Sequence, residues 1–207
     1  MPQVTGANAG IGLAVTNSFA AAGNFVFLGS RSLERGEKAK ASLDGSLHER
    51  VQVLQLDVTD DASVAAAAAT VKRKVGEKGL DGLVNNAGGA KGGIGAASCH
   101  DDFVYTMQLN WEGTKRVTNA FLPLVREGGR VVFTSSGAAP SFVASCSLER
   151  KKFFVEPNVV PLQTAPEQRG TLLQPGMPRL GAHSGAALCL HVLVDSLGEA
   201  LGFREAV

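Results

Sequence analysis

Apolar and polar positions follow two alternating patterns over residues 2–137. Short apolar runs, typical of buried strands, are separated by longer segments in which apolar residues recur with the period of a helix. Strands are predicted at residues 3–5, 24–29, 51–56, 80–84 and 130–134. Helices are predicted at 13–22, at 33–43, from Thr59 or Asp60 to 75, and from Asp101 or Asp102 to about 125. Strands and helices alternating at this spacing indicate βαβ units and a parallel sheet of the α/β class.

The regular pattern ends near residue 137. Five of the eight prolines fall between residues 154 and 180, and no periodicity is visible there. A structureless run of this length is unusual inside a compact domain, and a substrate-binding excursion, a disordered segment or sequence foreign to the fold would each account for it. We predict one domain over residues 1–207, with a regular part at 2–137, an irregular proline-rich segment at 138–182 and a final helix at 183–201.

Composition and charge exclude several classes of protein. Hydrophobic residues make up 44% and charged residues 19% of the 207 positions, which excludes a disordered chain. The net charge of +1 offers no basic excess for nucleic acid. Three cysteines without ligand spacing indicate a reducing compartment and no metal site. With no signal peptide and no bilayer-spanning apolar run visible, we expect a cytoplasmic protein without a membrane partner.

A glycine-rich turn at residues 5–12 lies between the first predicted strand and the first helix. Gly6 permits the tight turn, Gly10 lets the backbone approach a phosphate, and Gly12 lets the helix pack on the sheet. Orphan N–H groups at a helix start favour a pyrophosphate, although a plain βα turn would show the same spacing. The turn predicts a Rossmann-type doubly wound parallel sheet, with a dinucleotide held by Gly6, Asn8, Ala9, Gly10, Ile11 and Gly12.

The end of the second strand indicates which dinucleotide is bound. The carboxylate that holds a ribose 2′-hydroxyl in NAD(H) sites is missing from the sequence Gly29-Ser30-Arg31-Ser32. Arg31 and Arg35 would instead hold a 2′-phosphate, which predicts NADP(H), unless both are ordinary solvated arginines. A second glycine stretch at 89–95 lacks the strand and helix around it and is predicted to be a flexible loop.

Five motifs follow one another along the chain. They are Thr5-Gly6-x-x-x-Gly10-Ile11-Gly12, Asp57-Val58, Asn85-Asn86-Ala87-Gly88, Asn110-Trp111-Glu112-Gly113, and Arg130-Val131-Val132-Phe133-Thr134-Ser135-Ser136. In their order and spacing they resemble the short-chain dehydrogenase/reductase family. Residues 31–36 and 146–150 look most like the carbonyl reductases of that family. The resemblance covers residues 2 to about 155 and resumes weakly near 182.

The resemblance implies roles for particular residues. Ser136 would hydrogen-bond the substrate carbonyl and Asn110 would hold a water of the proton relay. Ser136 would otherwise be an ordinary strand-end serine, and Asn110 a packing or bend residue. Asp57 and Val58 would lie beside the adenine. Asn85 or Asn86, with Ala87 and Gly88, would face the cofactor, and one of the two asparagines would also brace the sheet.

The family's proton donor is a Tyr four residues before a Lys, and this pair is missing. The one tyrosine, Tyr105, is followed at that distance by Leu109. A weak realignment puts His183 at the Tyr position and Ala187 at the Lys position. Losing a positioned general acid costs about 10²–10⁴ in rate. The family's last strand and Pro-Gly segment also have no counterpart, so we expect a C-terminally truncated sheet.

Three functions remain open at this stage. The first is an NADPH-dependent carbonyl reductase acting on a small-molecule carbonyl. Its activity would be weak or absent, and it could be a monomer or an oligomer. The second is a non-catalytic NADP(H)-binding pseudoenzyme, which fits a cofactor half without an acid. The third is a mis-assembled or truncated gene product over residues 153–207, which fits the aperiodic proline-rich run.

Overall fold

The computed structural model describes residues 1–89, 100–149 and 151, and within them strands and helices alternate along the chain. The strands are β1 (Pro2–Val4), β2 (Val26–Ser30), β3 (Val51–Gln55), β4 (Leu80–Asn85) and β5 (Val125–Phe133). The α-helices are α1 (Gly10–Ala21), α2 (Leu33–Ala41), α3 (Asp61–Val75), α4 (His100–Met107), α5 (Gly113–Phe121) and α6 (Ala138–Ser145). A π-helical turn at Gln108–Glu112 separates α4 from α5, and 3₁₀ turns lie at Gly45–Arg50, Gly76–Lys78 and Leu122–Leu124.

The chain divides into two compact units. The first unit comprises residues 1–88 and 108–134 and contains all five strands with α1, α2, α3 and α5. The second unit comprises residues 89–107 and 135–207, and its described residues include α4 and α6.

The sheet of the first unit is parallel throughout, in the order β3-β2-β1-β4-β5. Helices α3 and α5 cover one face, where Val64, Val71 and Phe121 pack against sheet residues such as Phe27 and Leu83. Helices α1 and α2 cover the other face, where Ala20 and Ala39 pack against Val4, Val26, Leu28 and Val84. Because helices cover both faces of a parallel sheet, the doubly wound, Rossmann-type prediction is confirmed.

Strand order places the candidate site. From β1 the chain adds β2 and β3 on one side of the sheet, and then β4 and β5 on the other. The direction of winding therefore reverses between β1 and β4, and in such sheets ligands bind beyond the carboxyl ends of the strands at this point. The glycine turn follows β1 and residues 86–88 follow β4, so both candidate segments begin at this edge.

The predicted helix from Asp101 or Asp102 to about 125 is wrong in two respects. It is interrupted by the π-helical turn, and it ends at Phe121 rather than near 125. Pro123 lacks the N–H that would continue the helix, and the chain turns there into β5, which begins five residues before the predicted strand.

The predicted irregular segment at 138–182 begins with a helix. Residues Ala138–Ser145 form α6, with Gly137 at the N-cap position and the Ser141 hydroxyl donating to the Gly137 carbonyl. Pro140 lies in the first turn, where its missing N–H breaks no intrahelical bond. The predicted helix at 183–201 lies outside the described residues.

Candidate functional site

Gly6 and Gly10 give the turn after β1 its shape. Their φ angles are +60° and +54°, a region that favours glycine. The turn is tied to the strands on both sides, because the Thr5 N–H donates to the Val84 carbonyl at 3.0 Å and the Ala7 N–H to the Gly29 carbonyl at 2.8 Å. The loop after β1 is therefore held in one conformation at the switch point.

The three glycines of the turn are required for two physical reasons, close packing and backbone angle. A Cβ at Gly6 would lie 2.7 Å from the Ala87 Cα, and one at Gly12 would lie 2.5 Å from the Asn86 Nδ2. Both positions need glycine for close packing against the segment after β4. A Cβ at Gly10 would meet no atom within 4 Å, so this exposed glycine is required by its backbone angle and leaves space above the turn.

Helix α1 begins without a side-chain cap. Its N-cap residue is Ala9, whereas Ser32 caps α2 and Asp60 caps α3. The first N–H groups of a helix have no partner inside the helix. At α1 these donors, together with the positive end of the helix dipole, are suited to an anion. Ile11, in the first turn, is 65% exposed.

The two asparagines after β4 have separate structural roles. Asn85 is buried and its Nδ2 donates to the Thr118 hydroxyl of α5 at 3.0 Å. Asn86 Nδ2 donates to the Thr5 carbonyl at 3.0 Å and the Gly6 carbonyl at 3.3 Å. Asn85 thus joins the sheet to α5, while Asn86 holds the glycine turn. Which of them faces the cofactor stays a prediction.

Thr5 was not among the predicted site residues, yet it organises this edge. Its hydroxyl accepts from the backbone N–H groups of Asn86 and Ala87, both at 2.8 Å. The side chain is buried between β1 and β4. Its place directly before Gly6 is the signal in the sequence that would have identified it.

Asn110 lies in the π-helical turn and packs against the segment after β4. A Cβ at Gly88 would lie 3.2 Å from the Asn110 Oδ1, so the backbone of Gly88 and the Asn110 amide approach each other closely. The neighbouring Trp111 is buried. A π-helical turn inside a helix often marks a functional position, because one extra residue re-aims the side chains around it.

Arg31 and Arg35 lie at the carboxyl end of β2 and in the first turn of α2. Both are exposed, and neither is ion-paired within the described part of the chain. The Ser30 hydroxyl donates to the Ser32 carbonyl at 2.8 Å, and Ser32 caps α2 through the Arg35 N–H. Hydrogen bonds of two serines therefore hold the turn from β2 into α2, which carries Arg31 and leads to Arg35. Both guanidinium groups are exposed and accessible to a phosphate.

Asp57 and Val58 form the loop after β3. One oxygen of the Asp57 carboxylate, Oδ1, accepts from the Thr59 N–H at 2.9 Å and from the Thr59 hydroxyl at 2.7 Å. Val58 is buried in the apolar layer against α3 and α5. Its carbonyl accepts from Arg116 Nη1 of α5 at 2.8 Å. No pattern singles out Arg116, because a basic residue on an amphipathic helix is ordinarily a surface charge.

The predicted catalytic residues fall in different parts of the chain. Ser136 is half-buried, follows β5 and belongs to the second unit, whereas Asn110 belongs to the first. His183 and most of the second glycine stretch lie outside the described residues. Within residues 1–89, 100–149 and 151, no group of three His, Cys, Asp or Glu side chains is arranged to hold a metal ion. None of the helices in these ranges combines the length and hydropathy needed to cross a bilayer.

Comparison with known proteins gives relatives that are named for different activities, among them the following two. Human carbonyl reductase (NADPH) 1 is 37% identical over 153 residues, which is 73% of this chain and 54% of the human protein. Mitochondrial D-beta-hydroxybutyrate dehydrogenase from Bos taurus is 35% identical over 136 residues, 64% of this chain and 40% of the bovine protein. The chain thus spans about half the length, or less, of these curated relatives.

A solved structure extends the likeness to the fold. Menthone neomenthol reductase from Mentha piperita superposes with a TM-score of 0.81 at 26% identity, covering 96% of this chain and 84% of that one. The family model described as short chain dehydrogenase matches residues 3–147, which include the glycine turn, both asparagines and Ser136. This chain therefore belongs to the short-chain dehydrogenase family of oxidoreductases.

Proposed function

We propose that this chain binds NADP(H) across the carboxyl ends of β1, β2 and β4. The observation that carries the proposal is the glycine turn, with its uncapped helix and open space above Gly10. The N–H groups from Ala9 to Gly12 would receive the pyrophosphate. A family whose members are oxidoreductases, and a relative named for NADPH, support a nicotinamide dinucleotide rather than another anion.

Selectivity for the phosphorylated dinucleotide is assigned to Arg31 and Arg35. Guanidinium groups bind phosphate through parallel N–H donors and stay charged at any physiological pH. β2 ends at Ser30, the position at which a carboxylate would bind the 2′-hydroxyl of NAD(H). The nearby acid, Glu34, is an exposed residue in the first turn of α2. Asp57 and Val58 would then lie beside the adenine, with Asn86, Ala87 and Gly88 on the nicotinamide side.

The proposed chemistry is transfer of a hydride between NADP(H) and a small-molecule carbonyl or alcohol. Bound NADPH supplies the hydride. The Ser136 hydroxyl would donate a hydrogen bond to the substrate oxygen, and Asn110 would hold a water that delivers a proton. This sequence has no Tyr four residues before a Lys, and only a weak realignment puts His183 at the Tyr position, so we expect turnover to be weak or absent.

A second candidate is a non-catalytic NADP(H)-binding protein. Two observations favour it. The glycine turn needs glycine at Gly6, Gly10 and Gly12, as a nucleotide site of this kind would. The proton donor is missing, because the one tyrosine is followed four positions later by Leu109 and not by a lysine. The two candidates share the nucleotide site. They differ in whether NADPH is oxidised when a carbonyl is added.

A thermal-shift titration of the purified chain with NADPH and NADH tests the shared proposal. We expect the melting temperature to rise with NADPH concentration, as ligand linkage requires, and to rise much less with NADH. An aromatic aldehyde is then added and the absorbance of NADPH is followed. A fall in absorbance shows oxidation of NADPH by a reductase, and constant absorbance indicates the non-catalytic binding protein. No shift with either nucleotide would contradict dinucleotide binding altogether.

Replacing both Arg31 and Arg35 by Ala should change nucleotide preference without affecting the fold. We expect NADPH to bind about tenfold more weakly, because two charge-assisted contacts to one phosphate are lost, while the affinity for NADH stays the same. Calorimetric titration measures both dissociation constants. The control is Arg50→Ala. Arg50 is an exposed arginine directly before the amino end of β3, whereas the proposed nucleotide site lies at the carboxyl ends of the strands. An equal loss for both nucleotides would assign the arginines a different role.

A further inference from the structure

We propose that Arg116 positions the adenine-binding loop after β3. This inference rests on the proposed nucleotide site and concerns a residue outside it. Arg116 lies on α5, whereas the loop comprises residues 57–60, which lie between α3 and Leu56, the last residue bonded to β2 through its N–H and the Ser30 carbonyl. It would act on the bound base through Val58, whose carbonyl it holds.

Two donors of one guanidinium group fix this contact. Arg116 Nη1 donates to the Val58 carbonyl at 2.8 Å, and Nε forms an ion pair with the Asp61 carboxylate at the start of α3. The Arg116 side chain is only 24% exposed. Because a planar group with two bonds in different directions has little freedom to rotate, the loop and the start of α3 are held in one orientation relative to α5.

Steric contact from the same helix reinforces the hydrogen bond. Gly113 lies one helical turn before Arg116 and therefore on the same side of α5. A Cβ there would lie 2.9 Å from the Val58 Cγ2 and 3.1 Å from the Val58 carbonyl oxygen. Val58 is thus packed directly against the backbone of α5 at Gly113 and bonded at its carbonyl by Arg116.

The other hydrogen bonds of the loop are local. The Asp57 N–H donates to the Ser63 hydroxyl at 2.9 Å, and Asp57 Oδ1 accepts from Thr59. Asp60 caps the first turn of α3. In the described part of the chain, Arg116 supplies the hydrogen bond that joins residues 57–60 to a distant element. A loop held in its binding conformation before the base arrives loses less entropy on binding, so this bond should raise affinity for the adenine end.

A nucleotide with a different base shows whether Arg116 positions the adenine-binding loop or only stabilises the fold. Calorimetric titration with NADPH and with reduced nicotinamide hypoxanthine dinucleotide phosphate, which carries a carbonyl in place of the adenine amine, measures base preference. We expect the natural protein to prefer NADPH, and Arg116→Met to bind NADPH about tenfold more weakly with most of that preference lost. A residue that only stabilised the fold would change the melting temperature and leave the ratio of the two dissociation constants unchanged.

The matched control is Arg126→Met. Arg126 Nε also pairs with an exposed aspartate, Asp81, at 2.6 Å, but this pair lies near the amino end of β4, away from the proposed nucleotide edge. The N-terminal amino group and Arg126 both bond the Asp81 carboxylate and lower its pKa. Like the pair of Arg116, this pair joins an arginine Nε to an aspartate at the start of an element. We expect Arg126→Met to keep natural affinity and base preference.

Arg116→Lys keeps the inference testable if the Met variant does not fold. A lysine retains the charge that pairs with Asp61, but it lacks the second, fixed donor for the Val58 carbonyl. We expect this variant to fold and to lose base preference. Natural preference in the Lys variant, or no preference in the natural protein, would overturn the inference. Absence of any NADPH binding by the natural protein would instead contradict the proposed function.

Discussion

Gly12→Ala is expected to lower the free energy of unfolding by about 2–3 kcal/mol, because added volume in a well-packed site forces neighbouring groups apart. The new methyl group would lie 2.5 Å from the Asn86 Nδ2, 2.6 Å from the Gly6 carbonyl oxygen and 2.9 Å from the Ala7 Cα. Two of these three atoms are backbone and cannot rotate away. Helix α1 would have to move off the turn, and NADPH affinity should fall with it. Urea unfolding followed by circular dichroism measures the change.

Gly45→Ala is the matched control for this substitution. Gly45 opens the 3₁₀ turn before β3, and a Cβ there would meet no atom within 4 Å. Its backbone does not have a positive φ. A Gly→Ala change at such a site is neutral or stabilises by about 0.5 kcal/mol, by restricting the unfolded chain. Equal unfolding free energies for the Gly12 and Gly45 variants would mean that α1 moves without cost.

The order of elements and the glycine turn could be predicted because both depend on local pattern. The pair Asn85-Asn86 shows what local pattern does not predict. The sequence left open which asparagine braces the sheet, since both are the same residue type. The end of β4 decides it. Asn85 is the last residue of the strand and reaches Thr118 of α5, whereas Asn86 is the first residue after the strand and reaches the turn at Gly6.

Two features could not be predicted, for different reasons. The π-helical turn at Gln108–Glu112 adds about one residue to a helix, and a shift of one position in the apolar spacing across 101–121 is too small to distinguish from ordinary variation. The bond from Arg116 to Val58 joins positions 58 residues apart, and its partner is a backbone carbonyl, which is present at every residue. Neither hydrophobic periodicity nor a sequence motif indicates such a contact.

The residues proposed to bind the nucleotide and the serine proposed to bind the substrate oxygen belong to different parts of the chain. Every residue assigned to the phosphates and the adenine belongs to the first unit, with the sheet, whereas Ser136 belongs to the second. The missing Tyr-x-x-x-Lys concerns the sequence after Ser136, in the order of the family's motifs. Loss of the acid therefore need not reduce affinity for NADP(H), and this is why binding and catalysis are measured separately.

Gln3 is a polar side chain in the middle of the apolar sheet. It lies on β1, in register with Phe27 of β2 and Leu83 of β4, and all three are fully buried. Its Nε2 would be 2.9 Å from a Cβ at Gly29, so the amide lies over the backbone of β2. Neither Nε2 nor Oε1 has a hydrogen-bond partner among the described residues. Burying an unpaired amide costs about 1–3 kcal/mol in proteins.

Gln3→Met should therefore stabilise the chain by about 2 kcal/mol, because Met has the same unbranched length and needs no hydrogen bond. For a chain of this size the gain corresponds to a rise of about 5 °C in melting temperature, measured by calorimetry. Gln55→Met, at an exposed position of β3, removes the same amide without relieving a buried one and should change stability little. A lower melting temperature for Gln3→Met would show that the amide is satisfied by an internal water, since only a bonded group is costly to remove.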